Sequence, residues 1–200
     1  MTASTPRERA IALIRELGPG FAERAAGYDR APAFPFENYA DLRDAGLLGL
    51  CIPAGQGGMG ATFKDYMYVS AELARYCPTT ALTYNMHSQT VLWTGVLADQ
   101  LDMPLEVRER HERIRAGLYR WILEDGAIMR QPLSEGIARG ATAGVATTAT
   151  PVPGGFEING RKVFASLAGA AHAYNFTCRY VRGKLAGFRI ARQGYIVWRA

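Results

Sequence analysis

Two hundred residues, 48% of them hydrophobic and 20% charged, make an ordinary globular composition with apolar material for one generous domain or two small ones. A formal charge of +5 points to a nucleic-acid partner only where it is spread over a folded face. Here six of the 23 basic residues lie between Arg179 and Ala200, where there is no acid, leaving 17 basic against 18 acidic before them, so no nucleic-acid partner is expected.

Thr5, Pro6 and Glu8 supply an N-cap, a first-turn proline and an acid at the third position, and Ala10, Leu13, Ile14, Leu17 and Phe21 then recur at helical spacing. A first helix is predicted there, kinked or interrupted at Gly18-Pro19-Gly20 because proline lacks a donor and clashes with the preceding turn. Arg7, Glu8, Arg9, Arg15 and Glu16 break its apolar positions, and no apolar run reaches bilayer length; neither a signal peptide nor a membrane span is expected. A second helix is predicted from about Pro35 to Ala45, with Phe36, Tyr39 and Leu42 on one face and Gly46 as a left-handed stop. Four glycines within Gly55–Gly60 require a loop. Thr62 and Asp65 form a second capping box, opening a helix through Tyr66, Val69 and Leu73 that ends by Cys77 and Pro78. Residues 79–100 read as a fourth helix, apolar on most sides and therefore central. Val107, His111, Ile114 and Leu118 give a fifth helix its apolar stripe, with the alternating charges of Glu106–Arg113 as its solvated face.

After Gly126 the texture changes. The stretch 144–150 is rich in threonine, Pro153-Gly154-Gly155 breaks it, and Asn159-Gly160 is a hairpin signal between Phe156–Ile158 and Lys162–Phe164. Helices followed by strands give an α+β chain: an all-α domain over 1–125, then an antiparallel β-domain over 126–178. Residues 179–200 form an atypical basic tail.

Chemistry-bearing candidates are few. Gly55–Gly60 lacks both the Gly-Lys-Ser/Thr of a P-loop and a βαβ context, which favours a tight turn over a phosphate cradle. His87, His111 and His172 stand too far apart for a metal site; His87, inside an apolar helix, is expected as a hydrogen-bonded core or pocket residue. Cys51, Cys77 and Cys178 are odd in number and widely spaced, fitting neither a disulfide framework nor a Cys-x-x-Cys metal site, and a reducing cytoplasm is the simplest setting. Ser134 and Ser166 sit in strand-like segments, with Phe164 near the second. Two small hydroxyls and an aromatic can meet the edge and face of a flat ring, or be ordinary surface groups. Glu135 is either an acid or base, or a carboxylate that satisfies neighbouring backbone donors.

With these segments in order, residues 5–178 resemble the acyl-CoA dehydrogenase family of FAD enzymes, in the bacterial branch that also holds desulfurisation-type flavin monooxygenases. Ala45-Gly46-Leu47, the apolar run to Pro53 and the Gly57-Gly58-Met59-Gly60 that follows look like one family passage. The family's Val-Thr-Glu-Pro is matched by Leu133-Ser134-Glu135-Gly136, and its Asn-Gly-x-Lys-x-Trp-Ile-Thr by the segment from Asn159 to Ser166, with Phe164 in the tryptophan's place. The resemblance implies FAD, with Gln131, Leu133 and Ser134 along one polar edge of the isoalloxazine, Phe164 against its face and Ser166 toward N5. A serine donates as a threonine does, whereas phenylalanine keeps the aromatic face and loses the indole donor.

Other positions depart from the family. Arg139, Gly140 and Ala141 replace its Gly-Ser-Asp, removing a hydroxyl that helps hold a CoA thioester. The family's C-terminal four-helix domain, which supplies the dehydrogenase glutamate and most oligomer contacts, has no counterpart here, and no catalytic residue or metal ligand is assigned. The acid-free stretch from Arg179, with Phe188, Tyr195, Ile196, Val197 and Trp198, suggests a frameshifted or prematurely ended reading frame, or else a natural basic tail. The expectation is thus a cytoplasmic, truncated relative of enzymes that oxidise CH-CH groups of acyl-CoA or other small substrates as homo-oligomers, inactive alone. The alternatives are a flavin monooxygenase of the same fold and a non-catalytic helical interaction module.

Overall fold

In the computed structural model, residues 4–135, 145–180 and 186–191 are described. The chain divides into two units, Met1–Ile128 and Met129–Ala200.

The first unit is helical: α1 (Pro6–Arg30), α2 (Phe36–Asp44), α3 (Phe63–Ala74), α4 (Pro78–Leu92) and α5 (Leu105–Asp125). Both capping boxes form. The Thr5 and Thr62 hydroxyls accept from the backbone N–H of Glu8 and Asp65, whose carboxylates accept in return from the cap N–H groups. α1 runs through Pro19 as one element, so the helix is not interrupted at Gly18-Pro19-Gly20. Ala10, Ile14, Gly18 and Phe21 form a buried stripe, and α1 packs on α3. That packing outweighs the roughly 3 kcal/mol a mid-helix proline costs.

Leu47, Leu48, Leu50 and Ile52 are buried between α2 and the glycine loop. The loop folds back on this apolar run: the N–H groups of Gly58, Met59 and Gly60 donate to the carbonyls of Pro53, Gly49 and Ile52 at 3.2, 3.1 and 2.9 Å. α4 packs on α3 and continues into a π-helical segment, Trp93–Leu97. In α5 the stripe is a second correction: Arg115, Leu118, Tyr119 and Ile122 are buried, while Val107 and Ile114 are 52% and 45% exposed. Arg115, outside the expected stripe, takes an inward position because Asp99 and Glu112 both pair with it, while Leu118 of the stripe is buried as expected.

The second unit holds one five-stranded sheet: β1 (Met129–Arg130), β2 (Thr148–Val152), β3 (Gly155–Asn159), β4 (Ala173–Tyr180) and β5 (Ala186–Ala191). The α+β order stands, but the sheet is mixed rather than antiparallel throughout: β2–β3 and β4–β5 are antiparallel, β1–β4 and β2–β4 parallel. The connection 160–172 is long enough to carry the chain across before β4, which then lies beside β2 and runs with it. Tyr174 pairs with both Arg130 and Ala191, and Arg179 with both Thr148 and Ala186, so β1 and β2 share one edge of β4 and β5 takes the other.

The hairpin is also displaced from its expected place. Val152 pairs with Gly155 across Pro153-Gly154, Gly154 having φ +83°, the conformation a turn demands after proline. Asn159 ends β3, and Lys162–Phe164 are not a strand. Gly160 serves close approach instead, since a Cβ there would fall 2.7 Å from Thr147 Cα. Part of the stretch from Arg179 onward is β5; Arg139, Gly140, Ala141 and Tyr195–Trp198 lie outside the described residues.

Candidate functional site

Neither Ser134 nor Ser166 lies in a strand: Ser134 belongs to the non-strand segment that follows β1, and Ser166 opens a turn at the end of the non-strand segment that follows β3. The two segments meet. The Val163 N–H donates to the Ser134 carbonyl at 2.8 Å, placing Ser134 beside the residue that precedes Phe164. Phe164 itself is 88% exposed and holds φ +54°, a left-handed conformation uncommon for an aromatic residue. A large ring kept at the surface on such a backbone is a feature of binding sites more than of cores. Leu133 and Ser134 are exposed beside it in the facing segment, and Ser166 is half-buried at the start of a turn through Ala170. Gln131 is half-buried, its Oε1 atom without a hydrogen-bond partner among the described residues.

Beneath this surface Glu135, for which two roles were open, meets Lys162, which sequence reasoning did not single out. The Lys162 ammonium donates to Glu135 Oε1 at 2.7 Å, to Thr177 Oγ1 at 3.3 Å and to the Leu133 carbonyl at 3.4 Å. Glu135 also accepts from the Ala146 N–H at 2.7 Å, the Thr147 N–H at 3.0 Å and the Thr147 hydroxyl at 2.6 Å. The two side chains are 8% and 14% exposed. Burial pushes the Glu135 carboxyl up, but the hydrogen bonds from Lys162, Thr147 and the Ala146 backbone outweigh it and hold the group down at about 2. Saturated and permanently ionised near neutrality, Glu135 is a structural acceptor and not an acid or base. Of its two expected roles the one in which it satisfies backbone donors holds, and the available signal for its partner was a lysine in the motif that follows Asn159-Gly160.

The other candidates resolve to structure. His87 is fully buried with Nε2 2.8 Å from the Leu48 carbonyl; a carbonyl only accepts, so Nε2 carries the proton, and burial pushes the ring down to about 4. The glycine loop spends its amides on its own carbonyls and offers no phosphate cradle from Gly58, Met59 or Gly60. A groove of about 430 Å³ between this loop and α5, lined by Gln56, Gly57, Tyr119, Arg120 and Leu123 among others, contains none of the expected site residues. Cys51, Cys77 and Cys178 are buried and unbridged. Among the described residues no cluster of His, Cys, Asp or Glu gathers to hold a metal, and no helix is long and apolar enough to cross a membrane.

Comparison with known proteins bears on both units. Residues 13–98 match the family "Acyl-CoA dehydrogenase, N-terminal domain". Benzylmalonyl-CoA dehydrogenase of Aromatoleum aromaticum is 29% identical over 177 residues, covering 88% of this chain and 44% of that protein. A probable FMNH2-dependent monooxygenase, SfnC of Pseudomonas putida, is 38% identical over 84 residues, which cover 42% of this chain and 21% of that protein. Among solved structures, FMN-bound TdsC from Paenibacillus sp. A11-2 superposes with a TM-score of 0.71 at 25% identity, covering 91% of this chain and 42% of that one. The chain therefore spans less than half the length of these relatives.

Proposed function

Since the chain is acyl-CoA dehydrogenase-like, carrying that family's N-terminal domain over residues 13–98 and its α+β fold, we propose that it is part of a flavin-dependent oxidoreductase whose sheet unit addresses the isoalloxazine. The observation that carries this reading is the Val163-to-Ser134 hydrogen bond, which sets the two motif segments side by side with Phe164 presented outward. The residues fit a flat, polar-edged ring. Phe164 offers an exposed aromatic face, Leu133 an apolar shoulder, Ser134 and Ser166 hydroxyls that donate or accept, and Gln131 a buried acceptor in want of a donor. Bound flavin would supply two-electron redox chemistry, toward a CH-CH substrate or toward oxygen. The chain's own part is to orient the ring and to keep fixed donors at its polar edge, a service that costs no reorganisation during reaction.

The cofactor is FAD on the family reading and FMN on the likeness to FMN-bound TdsC, and the likeness to the probable FMNH2-dependent monooxygenase SfnC favours a second reading as a flavin monooxygenase. An acyl-CoA or another small molecule is the substrate, in a cytoplasmic homo-oligomer of the whole protein. Titrating the purified chain with FAD and separately with FMN, following flavin fluorescence, tests the reading. Saturable quenching is expected, weakened roughly tenfold by Phe164→Ala; fluorescence that stays unchanged with both flavins overturns it.

A further inference from the structure

We propose that the Lys162–Glu135 ion pair is a clasp that sets the register of the two segments facing the flavin, making both residues positioning groups for the cofactor; this rests on the flavin reading above. Among the described residues a single backbone bond, Val163 to Ser134, joins the two segments directly. One such bond largely replaces a bond to water and fixes register poorly. The ion pair adds what the backbone lacks. Lys162 precedes Val163 and Glu135 follows Ser134, so their 2.7 Å contact ties the same two segments at neighbouring positions.

The pair is also wired outward. Lys162 reaches Thr177 in β4 and the Leu133 carbonyl, while Glu135 accepts from Ala146 and Thr147 just before β2. Four stretches of the sheet unit thus converge on two side chains. A buried pair of this kind is weak evidence for stability, because desolvation offsets much of the attraction, but its directional bonds select one arrangement over neighbouring ones. Here the selected arrangement presents Ser134 and Phe164 together, which is what a site held to sub-ångström tolerance needs.

The test uses the full chain as wild type, Lys162→Met and Lys162→Arg, with two readouts: backbone hydrogen exchange without flavin, and flavin affinity by fluorescence. In Lys162→Met, exchange at Val163, Ala146 and Thr147 is expected to quicken roughly tenfold while α3 is unchanged, and flavin binding to weaken roughly tenfold. Lys162→Arg, which keeps the charge, recovers most of both. Should Lys162→Met unfold the sheet unit, Glu135→Gln is measured in the same way. Unchanged exchange overturns the clasp; quickened exchange with undiminished affinity makes the pair merely structural and overturns the positioning role. A wild-type chain that binds no flavin, yet shows the exchange response, strikes the flavin reading and this inference with it, and is recognised by that combination.

Discussion

Asn38 donates through Nδ2 to the Thr80 hydroxyl at 2.8 Å, and neither side chain is exposed at all. The bond is the middle link of a directed chain: Arg24 Nε donates to Asn38 Oδ1 at 2.7 Å, and the Thr80 hydroxyl donates to Cys77 Sγ at 3.1 Å. It joins α1, α2 and α4, running from the part-exposed Arg24 to groups that are fully buried. Asn38→Ala removes two bonds and leaves a guanidinium and a hydroxyl short of partners, so a loss of roughly 2–3 kcal/mol is expected in urea unfolding. Adding Thr80→Val should cost less than its own single effect, because the orphaned hydroxyl goes with it; strict additivity of the two would show that they are not coupled.

Acid should destabilise the two units over different ranges. His87 sits at about 4 in the fold against an ordinary 6.5, so in that interval the unfolded chain binds more protons and the helical unit loses stability as pH falls from 6.5 toward 4. Glu135 sits at about 2 against an ordinary 4.5; its contribution to the sheet unit is complete above 4.5 and is lost as pH falls toward 2. Fluorescence of Trp93 and Trp121 reports on the first unit, and hydrogen exchange at Thr147 on the second. His87→Gln should flatten the upper limb and Glu135→Gln the lower, and limbs that persist in these variants would assign the titrations elsewhere.

Gly160→Ala tests the tight passage beside Thr147. An added Cβ meets Thr147 Cα at 2.7 Å, a backbone contact that no side-chain rotation relieves. A cost of about 1–3 kcal/mol to the sheet unit is expected. Gly155→Ala, where a Cβ meets nothing within 4 Å, is the matched control. Equal effects of the two, measured by thermal unfolding, would remove the steric account.

Much of the helical unit was legible because its signals are local. Thr5 with Glu8, Thr62 with Asp65, and Gly46 at φ +72° each need only their near neighbours to act as caps and stops. What escaped depends on partners distant in the chain. Pro19 is tolerated because a buried stripe packs on α3, and Arg115 is buried because Asp99 and Glu112 neutralise it. In the sheet unit two turn signals competed, Pro153-Gly154 and Asn159-Gly160, and composition alone does not rank them. The structure gives the turn to the first and a steric role to the second. The site residues were named through their motifs, but Lys162 was passed over, since a lysine after a turn reads as solvated until the carboxylate 27 positions away is seen beside it.

The π-helical segment Trp93–Leu97 has a bearing on how this chain is aligned with others. Wound at i→i+5, it accommodates one more residue than an α-helix of equal rise, so Ala98 and Asp99 stand about 100° round the axis from where unbroken winding would put them. From that azimuth Asp99 meets Arg115. A column-by-column comparison with a relative lacking the bulge must therefore open a gap of one position here, or every later residue of the helix is assigned to the wrong side.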